Sequence, residues 1–149
     1  MSARPIPILM AEDDAMDRLL TEEALREGRL NNPLSFVEDG VQLMAYLRNQ
    51  PPFEDAATYP EPGIILLDLN MPKKDGRTCL EEIQQDPALK HIPVVVMTTS
   101  TQEEEVFRSY DLGANSFICK PVDFDKLVSL MKTFNNYWFS IVELPREHK

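Results

Sequence analysis

Residues 63–68 read Gly63-Ile64-Ile65-Leu66-Leu67-Asp68. Four large aliphatic side chains in a row, opened by a glycine and closed by a carboxylate, mark a short strand covered on both faces. A half-exposed strand would alternate apolar and polar instead. The same signature recurs on either side. Ile92–Met97 (IPVVVM) is closed by Thr98, Thr99 and Ser100. Ile6–Ala11 (IPILMA) ends abruptly in Glu12, Asp13 and Asp14. Leu34–Val37 is a weaker apolar run, and Asn115–Cys119 (NSFIC) is a last short one, closed by Lys120-Pro121.

Helical spacing fills the gaps. Met16 to Leu25 places Met16, Leu19, Leu20 and Ala24 at amphipathic positions, with Asp14 suited to cap the helix. Asp39 caps a helix over about Val41–Arg48. Residues Asn49 to Gly63 hold Pro51, Pro52, Pro60 and Pro62 and form a long loop. Cys79, Leu80 and Ile83 line one face of a helix that Asp86-Pro87 ends. A polar helix crosses Gln102–Leu112, with Gly113 as its stop. Asp123 can cap a final helix carrying Phe124, Leu127, Val128, Met131, Phe134, Trp138 and Ile141 on one side. The pattern is β-α repeated five times. With both strand faces covered, it predicts an α/β fold with a doubly wound parallel sheet in one domain. The core covers about 6–133, and 134–149 are a C-terminal extension that continues the last helix.

Composition narrows the function. The chain has 149 residues, 43% hydrophobic and 27% charged, which suits a folded domain. Its formal net charge of −10 disfavours direct binding to nucleic acid or to anionic membranes. No apolar run approaches the roughly 20 residues that cross a bilayer, and the start lacks a secretory signal pattern. Cys79 and Cys119 have no CxxC spacing, only 2 histidines are present, and neither a zinc site nor a disulfide is expected. A reducing cytoplasm fits these thiols. No GxGxxG or GxxxxGK loop is present.

In a doubly wound sheet, ligands gather at the carboxyl ends of the strands. The polar groups that follow the apolar runs are Glu12-Asp13, Asp68, Thr98 and Lys120. They should converge on one edge. Three carboxylates brought together repel one another, and a hard divalent cation with oxygen ligands resolves the repulsion. A lysine and a hydroxyl beside them suit the oxygens of a phosphoryl group.

These pieces in this order (Glu12-Asp13 after LMA, Asp68 inside IILLDLNMPKKDG, Thr98 after VVVM, Lys120-Pro121) resemble the receiver domain of two-component response regulators, laid out like the chemotaxis receiver. The resemblance runs from about Ile6 to about Thr133. It implies a flavodoxin-like five-stranded sheet of strand order 2-1-3-4-5. It implies that Asp68 is the phosphoacceptor for a sensor histidine kinase. Mg²⁺ or Mn²⁺ would be held by Asp13 directly, by Glu12 through water, by Asp68, and by the backbone carbonyl of Asn70. Lys120 would pair with the acceptor and then with the phosphoryl oxygens. Thr98 would be the switch hydroxyl and Phe117 the rotating aromatic. Such a domain is its own substrate rather than a turnover enzyme.

The Pro-rich loop and the aromatic tail resemble regulators paired with phytochromes, which implies a light-sensing kinase and a homodimer. Phe134, Tyr137, Trp138 and Ile141 are the candidate dimer residues. Two other readings compete. One is a constitutive interaction module on a receiver fold, which would ordinarily lack one of the site residues. The other is a haloacid-dehalogenase-type phosphatase, which would need a second aspartate where this chain has Asn70.

Overall fold

The computed structural model describes residues 6–68, 73–74, 76–98, 116–119 and 124–134; at Thr98, 116–119 and Phe134 it describes the backbone alone. Five strands are present: β1 (Ile8–Ala11), β2 (Leu34–Val37), β3 (Ile64–Asp68), β4 (Val94–Thr98) and β5 (Ser116–Cys119). The described helices are α1 (Ala15–Glu27), α2 (Gly40–Leu47), α3 (Gly76–Gln85) and α4 (Phe124–Phe134). All strand pairs are parallel, in the order β2-β1-β3-β4-β5. The expected sheet and strand order are therefore present. The helix expected over 102–112 and the extension 135–149 lie outside the described residues.

Strand alternation explains the two layers. Leu9, Ala11, Ile65, Leu67, Val94 and Val96 face α2 and α3, where Leu43, Leu47, Leu80 and Ile83 complete one core. Ile8, Met10, Ile64, Leu66, Val95 and Met97 face the other way, onto Ala24, Leu25, Leu127, Val128 and Met131 of α1 and α4. Continuous aliphatic runs were needed because both faces are used. Two strands begin later than their apolar runs do. β1 starts after Pro7 and β4 after Pro93, since proline brings no N–H to the ladder. The Pro93 carbonyl still accepts from Ile65 N at 3.0 Å.

One expectation needs correction. On α1, only Ala24 of the four spaced apolar residues is buried. Met16 is 60% exposed and Leu19 50%, whereas Thr21, Ala24 and Leu25 are buried. Thr21 is tolerated inside because its hydroxyl donates to the Asp17 carbonyl at 2.9 Å. The segment Asn49–Gly63 is a loop, as expected, and it also contributes to the core. Phe53 is buried within it, and its ring lies 5.3 Å from Tyr46 and 5.1 Å from Tyr59. No helix among the described residues is long and apolar enough to cross a membrane.

Candidate functional site

The sheet register builds the site. Ala11 pairs with Leu67, so Glu12 leaves β1 level with Asp68, the last residue of β3. Asp68 pairs with Met97, one residue before Thr98 at the end of β4, and Thr98 pairs with Cys119 at the end of β5. Four strands thus deliver their carboxyl ends to one edge, as expected.

Glu12 is 1% exposed and held on all sides. Its N–H donates to the Val37 carbonyl at 2.9 Å, and its own carbonyl accepts from Arg18 Nη1 at 2.8 Å. Its carboxylate accepts from Asp14 N at 3.2 Å. Asp14 is the helix cap, as expected. Its Oδ1 accepts from Met16 N at 2.8 Å and Asp17 N at 3.3 Å. Capping turns Asp14 toward α1 and leaves Asp13 exposed between the two. The positive end of the α1 dipole then begins beside the carboxylates and favours negative charge there.

Carboxylate oxygens of Glu12, Asp13 and Asp68 all lie within 4.8 Å of one another. Two like charges at such a distance repel by roughly 3 kcal/mol near a protein surface. Two of the three carboxylates are buried, with Asp68 7% exposed, so solvent alone screens them poorly. Hard oxygen donors in this arrangement fit a small divalent cation, which prefers one or two carboxylates with waters completing its shell.

The remaining expected site residues are placed only in part. Thr98 and Phe117 lie on β4 and β5, with their side chains outside the described residues. Asn70 and Lys120 lie outside the described residues, as do Tyr137, Trp138 and Ile141. Phe134 ends α4, its side chain likewise undescribed. Cys79 is buried as a small apolar group, and His91 is an exposed loop residue 3.2 Å from Glu61. Sequence reading assigned Asp39 only as a helix cap. Its burial at 4% exposure and its pairing with Lys73 at 3.5 Å required the fold to see.

Known proteins agree with this architecture. The response regulator receiver domain family matches residues 8–132. Response regulator Rcp1 of Synechocystis is 41% identical over 141 residues, covering 95% of this chain and 94% of that protein. A crystal structure of the phosphorylated cyanobacterial phytochrome response regulator RcpA superposes with a TM-score of 0.83 at 41% identity, over 93% of this chain and 96% of that one. The Mn²⁺-bound form of Rcp1 superposes with a TM-score of 0.79 at 41% identity, over 91% and 95%. With its sheet order, its acidic strand edge and a family match over most of its length, this chain belongs to the response regulator receiver family.

Proposed function

We propose that the chain is a phosphorylation-driven signalling domain in which Asp68 accepts a phosphoryl group from a sensor histidine kinase. The observation that carries this is the convergence of Glu12, Asp13 and Asp68 within 4.8 Å at the carboxyl edge of the sheet. A carboxylate oxygen of Asp68 attacks phosphorus, the P–N bond of the phosphohistidine breaks, and its electron pair returns to the imidazole. The position of Asp68 at the end of β3 places its carboxylate at that edge, beside those of Glu12 and Asp13.

A divalent cation fits the donor set, and the Mn²⁺-bound Rcp1 supports this. Asp13 would hold Mg²⁺ or Mn²⁺ directly, Glu12 through water, with Asp68 and the Asn70 carbonyl completing the protein ligands. A cation held by these residues would supply charge neutralisation for the phosphoryl oxygens. Lys120 pairs with the product acyl phosphate. Thr98 moves to bond a phosphoryl oxygen, and Phe117 repacks behind it, so a local charge change becomes an altered surface. Because Asp68 is itself phosphorylated and then restored when water hydrolyses the acyl phosphate, the domain is its own substrate rather than a turnover enzyme on an external one.

Similarity to the phytochrome regulator RcpA supports a light-sensing kinase as donor. The extension from Phe134 through Tyr137, Trp138 and Ile141 serves a homodimer. Its several aromatic residues exceed what the sheet needs to cover. The −10 net charge argues against direct contact with nucleic acid or an anionic membrane, and a cytoplasmic setting follows from the kinase chemistry.

The test is intact-mass spectrometry after incubation with acetyl phosphate and Mg²⁺. One added phosphoryl group is expected, absent with EDTA and absent in Asp68→Asn. Addition that persists in Asp68→Asn would refute the assignment.

A further inference from the structure

Among the described residues, three carboxylates are buried: Glu12 and Asp68 belong to the acidic edge, and the third is Asp39. We infer that Asp39, acting through Lys73 and seated beside Gly40, is a positioning residue that latches the chain leaving Asp68 to the amino end of α2. This rests on the cation-site reading given above.

The contacts converge on one corner, residues 37–40. The Val37 carbonyl accepts from Glu12 N at 2.9 Å, so the corner fixes the backbone where the acidic edge begins. Two residues later, Asp39 Oδ1 accepts from Gln42 N at 2.8 Å, while Oδ2 lies 3.5 Å from Lys73 Nζ. Position 40 must be glycine, because a Cβ there would lie 1.9 Å from the Lys74 carbonyl oxygen. The backbone at 73–74 is thus seated directly on α2. The Gly40 carbonyl also accepts from Cys79 Sγ of α3 at 3.5 Å, and Lys74 Nζ donates to Glu82 at 2.6 Å. Lys73 has φ of 67°, a region that side chains disfavour, so forces outside the residue hold it there. One corner therefore grips both the residue that opens the acidic edge and the backbone at Lys73–Lys74.

The simpler alternative is a helix cap with an exposed ion pair on its rim. The two differ in the sign of one measurable effect. If Asp39 and Lys73 acted on the cation only as charges, removing the carboxylate would weaken Mg²⁺ binding. Removing the ammonium would strengthen it. A latch makes both losses weaken it.

Mg²⁺ is titrated calorimetrically into the full chain, Asp39→Asn, Lys73→Gln and the double variant, well below their unfolding midpoints. Asparagine retains the cap. Lys73 is 67% exposed, so its variant folds and keeps the test alive if Asp39→Asn does not. Each single change is expected to weaken binding about threefold, the scale of a partly exposed pair. The double variant is expected to bind no worse than either single one, because both remove the same constraint. Unchanged or tighter binding in Lys73→Gln, with the parent chain binding Mg²⁺, would overturn the latch alone. Failure of the parent chain to bind Mg²⁺ would overturn the cation site and the latch with it.

Discussion

Glu12 and Asp13 are neighbours in sequence but sit in opposite surroundings, one 1% exposed and the other open to solvent. Glu12 is tied into the β1–β2 corner, while Asp13 is exposed with its carboxylate within 4.8 Å of that of Asp68. That division suits an inner group that shapes the site and an outer one that takes the ion. A cation that binds only the folded chain stabilises it by about 2.7 kcal/mol at a hundred times its dissociation constant. Mg²⁺ is therefore expected to raise the thermal midpoint of the parent chain by several degrees. Asp13→Asn should lose most of that rise without falling below the parent in metal-free buffer. Thermal melts with and without Mg²⁺ check this, and an equal rise in both proteins would remove Asp13 from the ligand set.

The elements show where local sequence was sufficient. β1, β3 and β4 were legible because their aliphatic runs are buried on both faces, and Pro7 and Pro93 set where β1 and β4 begin. α1 was misleading. Its apolar spacing points to Met16, Leu19, Leu20 and Ala24, yet of these the fold buries Ala24 alone, beside Thr21 and Leu25. Periodicity reports that a helix has two sides, not which side the fold will bury.

The prolines of the loop Asn49–Gly63 marked it as a loop but did not reveal its small aromatic cluster. Tyr46 of α2 anchors it. The Tyr46 hydroxyl donates to the Pro60 carbonyl at 3.0 Å and lies 3.2 Å from Ser35 Oγ. Burial pushes the Tyr46 phenol above its ordinary value, against a smaller lowering effect from the Ser35 hydrogen bond. A raised folded value means the fold prefers the neutral phenol. Its contribution is whole below about pH 10 and is lost as pH rises through the folded value. Tyr46→Phe should cost about 1 kcal/mol at neutral pH. It should also flatten the alkaline loss of stability seen by denaturant unfolding at successive pH values. An unaltered alkaline slope would show that Tyr46 does not couple the loop to pH.

At the scale of the whole molecule, the parallel sheet brings Glu12, Asp13 and Asp68 from distant parts of the sequence to one edge. This is why the candidate site could be read early. Each polar group sits just past an apolar run, and the winding rule brings those ends together. The corner at Val37–Gly40 could not be read so, because Asp39 meets Lys73 only after both crossovers are made. The same scale governs assembly. If the aromatic extension joins two copies, Trp138→Ala should convert a dimer to a monomer in light scattering. A mass unchanged by that substitution would place any dimer contact elsewhere.

The most direct measurement concerns the acceptor itself. The chain is phosphorylated with acetyl phosphate and Mg²⁺, reduced with borohydride to convert an acyl phosphate to an alcohol, digested and mapped by mass spectrometry. Homoserine in place of Asp68, and nowhere else, is the expected result. Reduction at Asp13 or Glu12, or a phosphoryl group carried on another residue, would contradict the central role given to Asp68.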